Sequence, residues 1–120
     1  DAFSNPGPEL IEERLFPFIE KIQEKHPDIP LIFQQTIYRE IRNFDPVADK
    51  MEKEKIRTAE LMMEKAMRKY DNVYFVFPNA TTSRHDTSVD GIHPTDYGYY
   101  LWAESVSKPI MRILKKYGIQ

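Results

Sequence analysis

The sequence has no cysteine, which excludes disulfides and thiolate metal sites and leaves the compartment open, because many exported proteins also lack it. It has no apolar run long enough to span a bilayer, and residues 1–20 lack the basic, apolar and small-residue order of a signal peptide. Neither sign of charge predominates: 17 Lys and Arg against 19 Asp and Glu leave a formal charge of -2, with the two signs interleaved. Such a chain gives no electrostatic reason to expect nucleic acid or an anionic membrane as partner. Internal repeats and low-complexity tracts are absent as well. The chain opens with Asp1 in place of methionine, so a processed, excised or cleaved product is expected. What is present, 41% hydrophobic and 30% charged over 120 residues, is the composition of one globular domain.

The segment "PGPE" is a turn-to-helix signal with Pro8 suited to a first helical turn. Ile11, Leu15, Phe18 and Ile22 then recur at helical spacing, Pro17 predicts a kink, and the helix is expected to stop near His26 and Pro27. "IPLIFQQTI", residues 29–37, is an apolar run without helical alternation and reads as a buried parallel strand. Asp45 and Pro46 supply an N-cap and a first helical position for a long helix whose inner face is Ile56, Ala59, Met63, Ala66 and Tyr70. "NVYFVF", residues 72–77, is a second strand, rich in β-branched and aromatic residues. Residues 78–94 carry no apolar period and form a long loop. Thr95 is the expected N-cap of a last helix that presents Tyr99, Trp102, Val106, Ile110, Ile113 and Tyr117, is kinked at Pro109 and stops at Gly118.

Helix, strand, helix, strand, helix implies right-handed crossovers and a parallel sheet covered by helices, an α/β fold. Two strands make a small sheet with both edges unpaired, so the chain reads as the later half of an open α/β fold. In such sheets the functional loops lie beyond the carboxyl ends of the strands. One of them contains Asp90 and His93, three residues apart. A carboxylate at that spacing can turn back to accept the imidazole Nδ1 hydrogen, leaving Nε2 free to take a proton from an alcohol. Gly91 permits the tight turn and Pro94 stiffens its exit. The plainer alternative is that Asp90 and Thr95 only cap the last helix.

The string "TSVDGIHPTDYGYYLWAE" goes beyond two residues. It resembles the C-terminal signature of the SGNH, or GDSL, serine hydrolases, and most closely the bacterial subgroup with "VDGxHPTDxG" before its final helix. The order of "DAFSN", acidic helix, "IPLIF" strand and long helix follows the same family from its third conserved block to its last. The resemblance implies the C-terminal part of a three-layer α/β/α, flavodoxin-like fold, with residues 1–120 forming the later portion of a single hydrolase domain. It also implies roles: His93 as general base, Asp90 as the residue that orients it, and Asn5 as an oxyanion-hole donor. Asn5 is equally readable as a turn residue before Pro6. No cofactor is implied. The expected partners are an ester-bearing small molecule or carbohydrate and the absent N-terminal segment. The resemblance favours a periplasmic or extracellular compartment.

The chain departs from that family in one respect. Its serines, Ser4, Ser83, Ser88, Ser105 and Ser107, lie in neither a Gly-Asp-Ser block nor a nucleophile-elbow pattern. The serine and a second-block glycine are therefore expected from a segment outside this sequence. The competing expectation is a non-catalytic binding module that keeps the hydrolase scaffold, and a Gly-Asp-Ser upstream would decide between the two. His85, Asp86, Asp90 and His93 could be read as a metal site, but their spacing matches no usual zinc pattern and a flexible polar loop is the simpler reading. Tyr97, Tyr99, Tyr100 and Trp102 could line a sugar-binding surface, and core packing is the commoner role for such a group, with Tyr97 and Tyr100 the outer members. Gln34 and Gln35 either point toward the site or pair with a neighbour.

Overall fold

The computed structural model describes residues 8–78 and 85–119. The helix α1 (Pro8–Lys25) is continuous through Pro17. Its buried residues are Ile11, Leu15 and Ile19, with Ile22 packed against the core, so the expected stripe holds except that Ile19 takes the inner place expected of Phe18. Phe18, expected inside, is 53% exposed and touches Phe33 only ring edge to ring. The strand β1 (Leu31–Gln34) is shorter than the expected 29–37, and Ile29 lies exposed before it. A 3₁₀ turn (Glu40–Asn43) follows. The helix α2 (Pro46–Lys69) is capped as its sequence requires, Asp45 accepting from the backbone N–H groups of Val47 and Ala48 at 2.9 and 3.0 Å.

The strand β2 (Val73–Val76) pairs parallel with β1 in the register Leu31 to Val73, Phe33 to Phe75. Alternation sends Leu31, Phe33, Val73 and Phe75 to one face, where they join Ile11, Leu15, Ile19, Met62, Met63 and Ala66 of α1 and α2 in the core. Burying each of these large aliphatic side chains contributes about 1.5–3 kcal/mol. The other face carries Tyr74, whose hydroxyl shares a 3.1 Å hydrogen bond with that of Tyr117, the C-cap of the last helix, α3 (Asp96–Lys116). The result is three layers: two helices, a two-stranded parallel sheet, and α3. Asn72 fastens the entry to the sheet, its Nδ2 donating to the carbonyls of Pro27 and Ile29 at 3.1 and 2.7 Å.

Thr95 caps α3 as expected, its Oγ1 accepting from Gly98 N–H at 3.0 Å. Val106 and Ile113 form the buried stripe, α3 passes through Pro109, and Gly118 ends it at a positive φ of 70°. The helix is turned so that Tyr99, expected inside, is 52% exposed and stacks on Trp102, with ring centroids 5.9 Å apart. Tyr97 and Tyr100 are also exposed. No described helix is long and apolar enough to cross a membrane.

Candidate active site

Between β2 and α3 the described loop begins with a second 3₁₀ turn (His85–Thr87) and closes on itself before α3. Ser88 and Pro94 form an antiparallel bridge, Val89 N–H donates to the His93 carbonyl at 2.9 Å, and Thr95 N–H donates to the Thr87 carbonyl at 3.1 Å. The turn inside this neck is built by Asp90. One of its carboxylate oxygens accepts from the backbone N–H groups of Ile92 and His93 at 2.9 and 2.8 Å. Gly91, at φ 82°, supplies the left-handed residue that the reversal needs. The second oxygen lies 2.7 Å from His93 Nδ1.

Asp90 therefore does not cap α3; it closes its own turn around the histidine. The His93 N–H, then the imidazole and then the Ile92 N–H hold its carboxyl well below the usual carboxylate range, so it is an anion at neutral pH. With Nδ1–H engaged by that anion, the tautomer places the lone pair on Nε2. Nε2 has no hydrogen-bond partner among the described residues, and the His93 side chain is 71% exposed. The pair is thus oriented and open to whatever approaches it.

Of the serines, Ser88 donates to the His93 carbonyl at 3.4 Å, Ser105 to the Trp102 carbonyl at 2.8 Å and Ser107 to the Ala103 carbonyl at 2.5 Å. None of these three hydroxyls is bonded to Nε2. Ser4, Ser83 and Asn5 lie outside the described residues. Gln35 pairs with a neighbour, donating to Glu60 on α2 at 3.1 Å, and Gln34 is exposed at the end of β1. An apolar cavity of about 90 Å³ between α1, β1 and α2, lined by Ile11, Leu15, Phe33 and Met63, includes neither Asp90 nor His93. A recess of about 10 Å³, the size of a single water, does include His93, with Tyr38, Glu40, Thr87 and Ile92 beside it.

Two residues around the loop, Glu40 and Gly98, were not legible as site residues, nor was the partner of His85. His85 bonds to Glu40 at 2.7 Å across 45 positions, a separation no local motif reports. Gly98 lets the first turn of α3 lie against the Thr87 carbonyl, which a Cβ would strike. Its place in the "Asp-x-Gly" after the histidine was the available signal, and its meaning is steric.

A parallel sheet between helical layers, with a histidine–carboxylate pair on the loop after its last described strand, defines an α/β protein with a candidate site at the carboxyl end of its sheet. The chain belongs to the GDSL-like lipase/acylhydrolase family, whose model matches residues 1–112. It is also similar to a crystal structure from Bacteroides ovatus assigned as a GDSL-like lipase, at 33% identity and a TM-score of 0.86. That match covers 96% of this chain and 35% of the other, so the chain spans about a third of its neighbour's length. No curated protein matches it.

Proposed function

We propose that this chain is the later portion of a single SGNH hydrolase domain and supplies the base end of a serine-dependent reaction on carboxylic esters. The observation that carries the reading is the 2.7 Å contact between His93 Nδ1 and an Asp90 carboxylate that two backbone N–H groups already hold, with Nε2 left open. A serine hydroxyl brought to Nε2 would give up its proton as its oxygen attacks the ester carbonyl. Asp90 stays ionised and offsets the imidazolium that forms. The proton then passes to the leaving alkoxide, and a water repeats the sequence to release the acid. General-base action of this kind contributes roughly 10²–10⁴-fold.

The serine and the glycine N–H of the oxyanion hole come from a segment outside residues 1–120, and Asn5 is the candidate for a further oxyanion donor. The substrate is an ester on a small molecule or carbohydrate, and Tyr97 and Tyr100, exposed on the first turn after His93, offer flat apolar faces to it. Replacing His93 with alanine in the full-length protein is expected to lower turnover of a p-nitrophenyl ester by roughly 10⁴-fold or more while the circular dichroism spectrum is retained. Wild-type turnover in that variant refutes the assignment.

A further inference from the structure

Glu40 is the buried carboxylate of the described residues, 6% exposed, in a fold that leaves its other acidic side chains at least partly open to water. A carboxylate removed from water must be repaid by close partners, so its position calls for a reason. Its partner is unusual: the His85 imidazole, 2.7 Å from Glu40 Oε1, is itself 94% exposed. An exposed histidine thus reaches inward to a buried acid. The backbone beside it makes a second grip. Ile41 N–H donates to the Gly91 carbonyl at 2.9 Å, and a Cβ at Gly91 would lie only 3.4 to 3.6 Å from Ile41 atoms. Two consecutive residues of one 3₁₀ turn therefore hold the loop at two points, His85 where it begins its return and Gly91 inside the turn that Asp90 folds around His93. Glu40 also lines the same small recess as His93. On the same turn Arg42 pairs with Asp49 at 2.9 Å and Arg39 with Glu52 at 3.8 Å, while Glu40 reaches across to His85 of the loop.

We propose that Glu40, acting through His85, is a positioning residue that fixes the loop carrying Asp90 and His93 in its working geometry; this rests on the hydrolase reading above. An error of about an ångström in the placement of a catalytic group can cost roughly a hundredfold in rate, and Asp90 and His93, 50% and 71% exposed, have little packing of their own to hold them.

The test uses the full-length protein and the variants Glu40→Ala, Glu40→Gln and His85→Ala. Two readouts are taken: kcat and KM on a p-nitrophenyl ester, and the low-field proton resonance of His93 Nδ1–H in its bond to Asp90. Glu40→Ala and His85→Ala are expected to lower kcat by about tenfold to a hundredfold with KM within about twofold, and to broaden the His93 proton. Glu40→Gln keeps an acceptor oxygen for the His85 N–H and is expected to restore most of both. If Glu40→Ala fails to fold, His85→Ala decides, because its side chain is on the surface. Wild-type kcat, or an unchanged His93 resonance, in His85→Ala overturns the proposal. Should the wild-type protein turn over no ester, the hydrolase reading fails by itself, and the resonance alone then decides whether Glu40 orders the pair.

Discussion

Asp90 uses both carboxylate oxygens, one on two backbone N–H groups and one on an imidazole, within four residues of chain. Because all of its partners are local, this geometry was legible from Asp-x-x-His with an intervening glycine. The Glu40 to His85 contact was not, because it depends on how two distant turns meet. The pH dependence follows from the same bonds. Those N–H donors and the imidazole favour the anion, so the folded value lies below the ordinary 3.8 of the unfolded chain. The contribution of Asp90 to stability is therefore present above about pH 3.8, and is lost as pH falls from there through the folded value. A carboxyl carbon-13 titration is expected to place the Asp90 midpoint below 3.8, and a midpoint at or above 3.8 would show that the turn does not hold the anion in solution.

At the scale of elements, helix caps and order were readable and helix rotation was not. Asp45, Pro46, Thr95 and Gly118 act through their own backbone neighbours, so their roles do not depend on the tertiary fold. Which side of α1 or α3 turns inward depends on what covers it, and for this reason Phe18 and Tyr99 were misplaced while Leu15 and Val106 were not. The strands were located correctly and are shorter than their apolar runs, since ladder pairing extends only where β1 and β2 overlap. The junction of loop and α3 depends on close approach. At Gly98 an added Cβ would strike the Thr87 carbonyl and come within 3.0 Å of Pro94 Cβ. Alanine is favoured over glycine in a helix by about 1 kcal/mol, but backbone atoms cannot move aside as a flexible side chain can. Gly98→Ala is therefore expected to destabilise by roughly 1–3 kcal/mol, read as a lower urea midpoint at unchanged slope. Stability equal to or above wild type would mean that α3 is not clamped to the loop in this way.

For the whole molecule, the sheet supplies the constraint. Leu31 N–H and Gln35 N–H bond across to β2, so the intervening backbone groups of Ile32 and Gln34 point to the other side of β1, where no described strand lies. The radius of gyration, 15.5 Å, exceeds the roughly 14 Å of a compact domain of this length. Among the described residues, the open strand edge and the oriented imidazole with no hydroxyl on Nε2 both fit the proposed reading, in which further strands and the serine arrive together on another segment. The neighbour from Bacteroides ovatus, of which this chain covers 35%, has the length to contain such a segment. The consequence is chemical. A fluorophosphonate reacts only with a serine whose proton is being taken, so residues 1–120 alone are expected to remain unlabelled while the full-length protein is labelled at a serine outside them. Mass spectrometry of the labelled peptide reads the position, and a phosphonylated serine within residues 1–120 would show that this chain carries its own nucleophile.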